Sequence, residues 1–204
     1  MSPRSKEFNQ RAREERRQQI LSCALDLFTR KGLAGTKITD ISSAVNMSQG
    51  LFYHYFQSKE EVFVELIRLA FAKLNEACRW LAGQPLPAGE KIRFAISELL
   101  KGLTQNEDNS RYHLLIAQAT ISEAIPEEAK QTIRQENRFP YEAIASIMAE
   151  GQKDGSVKKQ DAQELAMVFW TSINGLAIYK AVHGEKFKAP NPEILIGTFL
   201  NAPR

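Results

Sequence analysis

The sequence has no apolar run long enough to suggest a membrane span. No stretch of about 18 or more consecutive apolar residues occurs, and no apolar segment follows the charged N-terminal residues, as it would in a secretory signal. Hydrophobic residues make up 43% of the 204-residue chain and charged residues 25%, which is ordinary for a folded soluble protein. The prediction is a cytoplasmic protein with a core of normal size and no membrane partner.

Cysteine and histidine are scarce and widely spaced. Cys23 and Cys78 lie in helical patterns, which fits a reducing cytoplasm better than a disulfide framework. His54, His113 and His183 include no pair at the spacing of metal ligands. We therefore expect no metal and no cofactor.

Motifs of catalysis are also missing from the sequence. There is no glycine-rich phosphate loop and no pair of carboxylates in an identifiable context. No combination of serine, histidine and aspartate has a spacing that indicates geometry, although a triad assembled only in space remains open. The protein is predicted not to be an enzyme.

Positive charge is concentrated at the N-terminal end. The chain carries a net charge of +3, but residues 1–59 hold ten Lys/Arg and five Asp/Glu. A basic head on a slightly acidic body favours a polyanionic partner, while charge alone leaves a solvated helix face equally open. The basic residues between 4 and 17 are interpreted as a minor-groove arm or as the frayed start of a helix, and the frayed start is preferred.

Apolar spacing predicts an all-α fold of about nine helices. Gly32 is expected to close the first helix, and the segment GQPLPAGE is the clearest internal boundary. Pro140 lies inside the seventh predicted helix and should kink or split it. The predicted helices cover residues 10–31, 38–45, 49–55, 58–82, 89–103, 110–122, 126–150, 161–182 and 192–200.

Polar residues that cap helices mark several of these starts. Ser48 precedes the third helix, and Ser58 with Glu61 forms a capping box, in which each side chain bonds a free backbone N–H of the other. Asp161 and Asn191 are the corresponding caps of the last two helices.

Four aromatic rings and a histidine follow one another in the run FYHYF. On a helix, Phe52 and Phe56 share one face and should pack into the core, whereas Tyr53 shares another face with Gln49. Tyrosine and histidine tips can donate hydrogen bonds to phosphate, the commonest protein–DNA contact. Two short helices behind a longer first helix predict a helix-turn-helix, whose second short helix enters a major groove.

The segment GLAGTKITDISSAVNMSQGLFYHYFQSKEEVF resembles the DNA-binding signature of TetR-family transcriptional regulators. The resemblance covers residues 12–63, and the rest of the chain is similar only in the number, length and placement of helices. It implies a DNA-binding domain at 1–57 and an effector-binding and dimerisation domain at 58–204. Two recognition helices of a homodimer would bind a palindromic operator in successive major grooves of double-stranded DNA.

The resemblance assigns DNA contacts to the starts of the second, third and fourth helices. Gln49 is the candidate for reading a base edge, because its amide can pair with adenine. Leu51 stands where a small polar residue is usual, and it could touch a thymine methyl. Asn46 stands where the turn usually has glycine, but asparagine tolerates a left-handed conformation. The predicted contact residues are Thr36, Lys37, Thr39, Ser48, Gln49, Gly50, Leu51, Tyr53, His54 and Lys59.

The helix predicted over 161–182 is apolar on more than one side. This pattern predicts packing on the core and on a second subunit, the alternative being the central helix of a monomer. The resemblance implies that the last two helices of each subunit form a four-helix interface. The candidate interface residues are Phe169, Ile173, Gly175, Leu176, Ala177, Tyr179, Leu195 and Phe199.

The resemblance also implies an effector pocket among the middle helices, although apolar residues at helical spacing are more often core than pocket. The predicted function is a repressor that a small lipophilic ligand releases from its operator, by moving the fourth helix and changing the separation of the two DNA heads. Activation or co-repression by the ligand stays open, as does a ligand- or partner-binding protein whose head has no specific DNA readout. The candidate pocket residues are Phe71, Leu74, Tyr112, Ile116, Phe139, Tyr141, Ile144, Met148, Trp170 and Asn174.

Overall fold

The computed structural model describes residues 3–105 and 107–202, with side chains from residue 8 onward except that of residue 107. Over these residues the protein is all-α, as predicted, and its one β feature is an isolated bridge between Val157 and Leu200. A 3₁₀ turn, Gly184–Lys186, follows the ninth helix. The helices are α1 (Pro3–Gly35), α2 (Ile38–Ala44), α3 (Gln49–Phe52), α4 (Lys59–Ala82), α5 (Ala88–Gln105), α6 (Glu107–Ile121), α7 (Glu127–Glu136), α8 (Arg138–Asp154), α9 (Ala162–His183) and α10 (Pro192–Phe199).

Two helices occupy the segment where one was predicted, over residues 126–150. α7 ends at Glu136 and α8 begins at Arg138, with Asn137 between them. Pro140 lies in the first turn of α8, where its missing N–H removes no intrahelical hydrogen bond. The chain therefore breaks just before the proline, and the described residues contain ten helices rather than nine.

The first and third helices also differ from their predicted bounds. α1 begins at Pro3 instead of near residue 10, and Gly32 interrupts it with a φ of 71°. α3 is a single turn, after which tight turns continue to Phe56, whose N–H donates to the Phe52 carbonyl at 3.1 Å. The chain preceding Ile20 is helical from Pro3, while the side chains of Arg4 and Lys6 lie outside the described residues.

Helix caps stand where the sequence predicts them. The Ser48 hydroxyl accepts a hydrogen bond from Leu51 N at 3.2 Å, and the Asp161 carboxylate accepts two, each at 2.9 Å, at the start of α9. The Ser58 box is altered in one partner. Ser58 accepts from Glu61 N at 3.1 Å, but the Glu61 carboxylate accepts from the N–H of Gln57 rather than from that of Ser58.

Two apolar clusters hold the helices together. The first joins α1, α2 and α3 to the N-terminal half of α4, and it reaches α6 and α7 through Leu115 and Ile133. The second joins the C-terminal end of α4 to α5, α8, α9 and α10. The boundary predicted between residues 57 and 58 coincides with the start of α4, and the first apolar cluster continues across it. The head is therefore packed directly on helices of the body.

The helix α9 is more apolar than its own packing requires. Residues Ala162–Lys186 contain an 18-residue window with a mean hydropathy of 1.3, of which 33% is buried within the chain. By length and composition this segment could cross a membrane, although polar residues interrupt its apolar run; core helices of soluble proteins share these properties. Its large exposed apolar side chains are Met167, Val168, Ile178, Tyr179 and Val182.

Candidate nucleic-acid interface

Two buried rings anchor α3 to the head. Phe52 is 0% exposed and Phe56 1%, which confirms that both belong to the core. The Arg17 guanidinium lies 4.9 Å from the centre of the Phe56 ring and forms an ion pair with Glu65 on α4. Arg17 of α1 therefore contacts the ring that follows α3 and is itself held by α4. These contacts fix the orientation of α3 within the head.

The other side of α3 is open to solvent. Tyr53 is 54% exposed and Leu51 40%, and Gln49, Gly50 and His54 are exposed beside them. The aromatic run thus divides, with Phe52 and Phe56 inside, Tyr53 and His54 outside, and Tyr55 partly buried against the apolar cluster. These side chains combine hydrogen-bond donors, one amide and an apolar contact, which are the groups that contact phosphates and base edges.

The start of α2 contributes a second exposed polar surface. Lys37 and Thr39 are exposed there. The Lys37 backbone N–H donates to the Asp40 carboxylate at 3.1 Å, and Lys31 Nζ lies 3.5 Å from the same carboxylate. These bonds hold the pKa of Asp40 below its usual value, the backbone bond most strongly. The Lys37 amine and the Thr39 hydroxyl therefore face solvent, while the Lys37 N–H is already bonded.

Thr36 is placed inside the head, contrary to the expectation of an exposed hydroxyl. The residue is 0% exposed, and its hydroxyl donates to the carbonyl of Gly32 at 2.8 Å. This bond satisfies one of the carbonyls left free where α1 ends. In this conformation the Thr36 hydroxyl is not on the surface shared by Lys37 and Thr39.

Lys59 likewise points toward the protein rather than away from it. Its Nζ donates to the carbonyls of Leu33 and Thr36, each at 2.8 Å, and lies 3.5 Å from that of Ala34. The Leu33 and Ala34 carbonyls belong to the electronegative end of α1, and the Thr36 carbonyl belongs to the loop that follows it. Lys59 thus ties the start of α4 to the loop before α2, and a phosphate contact by its amine would require breaking these bonds.

The turn between α2 and α3 depends on Asn46. Its φ of 52° is in the left-handed region, which confirms that asparagine replaces glycine in this turn. An Arg16 guanidinium nitrogen lies 3.5 Å from the Asn46 carbonyl oxygen. No sequence pattern places Arg16 at this turn, because only the fold brings this face of α1 to it.

The predicted pocket residues do not form one pocket. Leu74, Tyr112 and Ile116 line a cavity of about 160 Å³ between α4, α5 and α6. Asn174 is hydrogen-bonded to His113, which lines the same cavity and was not predicted. The remaining candidates do not line this cavity, and their role in an effector pocket stays a prediction. They pack in or against the apolar clusters: Phe71, Phe139, Tyr141, Ile144, Met148 and Trp170.

A larger cleft, of about 740 Å³, lies between α1, α6 and the end of α9. Its charged groups largely satisfy one another. Arg111 lies 3.1 Å from the Asp26 carboxylate, and Lys180 donates to the Leu103 carbonyl. The cleft is therefore a polar junction of head and body, and the smaller cavity is the better candidate for an apolar ligand.

Half of the predicted dimer residues belong to the subunit's own core. Phe169, Ile173, Ala177 and Phe199 are at most 1% exposed, so they cannot form the contact surface. Gly175 and Tyr179 are exposed, and Leu176 and Leu195 are half-buried. The exposed apolar residues that the prediction missed are Met167, Val168, Ile178, Val182 and Ile194.

Comparison with known proteins identifies the head. Residues 20–66 match the sequence profile of bacterial regulatory proteins of the tetR family. The chain is 27% identical over 163 residues to the HTH-type transcriptional repressor KstR2 of Rhodococcus jostii, covering 80% of this chain and 78% of that protein. The head of the chain therefore belongs to the tetR family of bacterial regulatory proteins. The relatives that match most of the chain are named as transcriptional regulators.

Solved structures of TetR-family regulators share the fold. The MbdR regulator from Azoarcus sp. CIB superposes with a TM-score of 0.79 at 21% identity, covering 90% of this chain and 96% of that one. AibR in complex with isovaleryl coenzyme A and operator DNA superposes with a TM-score of 0.69 at 16% identity, covering 90% and 95%. At these identities the likeness extends to the arrangement of helices only.

Proposed function

We propose that this TetR-family protein is a cytoplasmic homodimeric repressor that binds a palindromic operator and is released by a small ligand. The observation that carries the proposal is the divided aromatic run of the head. Phe52 and Phe56 fix α3 from behind, while Gln49, Tyr53 and His54 stand exposed on the outside. A rigid element with polar tips facing outward suits a major groove.

The exposed apolar face of α9 supports the homodimer. Met167, Ile178 and Val182 are 51%, 45% and 73% exposed, and isolated monomers seldom expose such contiguous apolar surface. Gly175 is on the same exposed side, where a second helix could approach closely. A copy of this chain would cover the face, and its second head would supply the other half-site of a palindrome.

The helix α6 provides a physical route from a ligand to the head. Tyr112, His113 and Ile116 line the cavity on one side. On another side, Leu115 is buried in the head's apolar cluster, and Gln118 donates to the Thr29 carbonyl of α1 at 3.2 Å. A ligand that moves α6 would therefore act on α1 directly, in addition to the displacement of α4 expected from the sequence.

A repressor is favoured over an activator because the exposed surface of α2 and α3 needs only to bind DNA in order to block transcription. KstR2 is itself named a repressor. Occlusion of a promoter requires no contact with another protein, whereas activation does. An effector coupling of about 1–3 kcal/mol would change operator affinity some 5- to 150-fold.

The test is selection of fragmented genomic DNA by the purified protein, combined with light scattering to measure its mass. A palindrome enriched upstream of particular genes, bound by a species of twice the chain mass, is the expected result. A protein that binds no duplex at low salt would favour the alternative function, a helical binding protein whose head has no DNA role. Binding that appears only on addition of a ligand would instead indicate a co-repressor-dependent regulator.

A further inference from the structure

The cavity between α4, α5 and α6 has the size of one small ring. Its volume is about 160 Å³, and an apolar cavity of about 150 Å³ is known to admit benzene, whereas drug-sized ligands occupy about 300–1,000 Å³. The apolar part of its wall consists of Ala70, Leu74, Ala77, Leu99, Gly102, Leu103 and Ile116. A ligand of roughly six to ten non-hydrogen atoms fits without rearrangement of the helices.

The wall of this cavity includes one partly buried imidazole, that of His113. Burial lowers the pKa of His113, while its hydrogen bond with Asn174 on α9 acts in the opposite direction. The imidazole is therefore neutral at pH 7 and offers hydrogen bonding rather than charge. His113 would therefore not serve as the counter-ion of an anionic group on the ligand.

The charged groups that line the cavity are on exposed residues. These residues are Glu98 and Lys73. Glu98 forms an ion pair with Lys101 at 3.4 Å. Lys73 has no carboxylate within ion-pairing distance in the described part of the chain, and its Nζ lies 4.4 Å from the centre of the Tyr112 ring. Lys73 is thus a cation held over an aromatic wall and open to a counter-ion.

We propose that the effector is a compact, ring-bearing monocarboxylic acid, with its ring in the α4–α5–α6 cavity and its carboxylate against Lys73. This inference rests on the proposed function, and it specifies the ligand class for that site. The volume disfavours long acyl chains and whole coenzyme A thioesters. The neutral His113 and the paired Glu98 leave no free negative charge for an organic cation. The site would distinguish this acid from other ligands by one ion pair with Lys73 and by one apolar space of the size of a ring.

The experiment measures ligand affinity of the full chain by titration calorimetry. The probes are 4-methylbenzoate, its uncharged amide 4-methylbenzamide, dodecanoate and choline. We expect the acid to bind about tenfold or more tightly than the amide, the difference one ion pair at a partly screened site can supply. Dodecanoate and choline should bind more weakly than the acid.

Two variants and one control locate the interaction. Lys73→Met should reduce the affinity for the acid to that for the amide while leaving amide binding unchanged. Gly102→Leu, which fills the cavity from α5, should abolish binding of both ring compounds. Lys153→Met removes an exposed lysine of α8 that lines no part of this cavity, and it should bind all probes as the unmodified chain does. Circular dichroism confirms that each variant is folded.

Several outcomes would overturn the proposal. Undiminished acid binding by Lys73→Met would show that Lys73 is not the anion site. Tighter binding of the amide, of choline or of dodecanoate, or binding of no ring acid, would exclude the proposed class. Failure of the proposed function would be a separate result. A chain that binds the acid but no DNA, or whose DNA affinity the acid leaves unchanged, would still support the proposed ligand class. It would exclude the proposed role of that ligand in regulation.

Discussion

The guanidinium of Arg111 on α6 lies 3.1 Å from the carboxylate of Asp26 on α1. The two side chains are only 28% and 29% exposed, so water screens their attraction less than it does for surface pairs. Arg111 is adjacent in sequence to Tyr112, a residue of the cavity wall. The pair therefore joins the helix that lines the cavity to the first helix of the head.

Breaking this pair should weaken the contact between head and body. A double-mutant cycle with Arg111→Met and Asp26→Asn, measured by urea unfolding, should give a coupling free energy of about 0.5–1 kcal/mol. The Arg138–Glu142 pair, whose side chains are 81% and 47% exposed, serves as the control and should give a value near zero. Equal coupling in both cycles would show that the Asp26–Arg111 contact is an ordinary surface pair.

Replacing Tyr53 by Phe should weaken DNA binding without changing sequence preference. The substitution keeps the exposed ring and removes only the hydroxyl, so we expect a loss of roughly two- to tenfold in affinity for every duplex. Fluorescence anisotropy over a range of salt concentrations measures it. Tyr141→Phe, in the body, is the control. An unaltered affinity in the Tyr53 variant would remove this residue from the interface.

Replacing Gln49 by Ala should instead change which bases are preferred. A bidentate amide–adenine contact discriminates against the wrong base by about 1–3 kcal/mol, and its loss should flatten the preference at one position of each half-site. Repeating the selection of genomic fragments with the variant shows the change. An identical selected motif would mean that Gln49 reads no base.

Lys59 is predicted to contribute to folding stability, and Lys37 is predicted to contribute to DNA affinity. Lys59→Met leaves carbonyls at the end of α1 without their charged donor, and this should lower the free energy of unfolding by about 1–3 kcal/mol. Lys37→Met, at an exposed position, should leave unfolding nearly unchanged and weaken DNA binding. Urea denaturation and anisotropy on both variants distinguish the roles, and a Lys59 variant as stable as the parent would contradict the structural role.

The exposed face of α9 is predicted to be the subunit interface. Ile178→Asp should convert the dimer to a monomer in light scattering, because burying an unpaired carboxylate in an apolar contact is strongly unfavourable. Operator affinity should fall with it, as a monomer contacts only one half-site. Ile121→Asp places the same charge at an 84% exposed isoleucine on α6, and that variant should remain dimeric.

The division of the aromatic run illustrates what local pattern could predict. Phe52 and Phe56 are four residues apart, and this spacing alone places them on one side of the chain in any helix-like conformation. The left-handed turn at Asn46 and the caps at Ser48 and Asp161 were predictable for the same reason, because their hydrogen bonds and dihedral angles involve neighbours in sequence.

The side chains whose positions differ from expectation share another cause. Thr36 and Lys59 were expected to face DNA, but the free carbonyls at the end of α1 lie within reach of both once the chain folds. The burial of Phe169 and Phe199 also depends on partners far along the chain. The apolar periodicity of a single helix does not show which of its apolar sides will be buried within the same subunit.

The sequence by itself determined that the chain is helical, where most helices begin, and that its head is a helix-turn-helix of the TetR family, because these properties reside in short segments whose residues interact with close neighbours. Only the tertiary structure decided which side chains form the cavity, which pair links α6 to α1, and which face of α9 stays exposed. Those features arise from long-range packing, in which each apolar surface is buried by whichever element the fold brings against it.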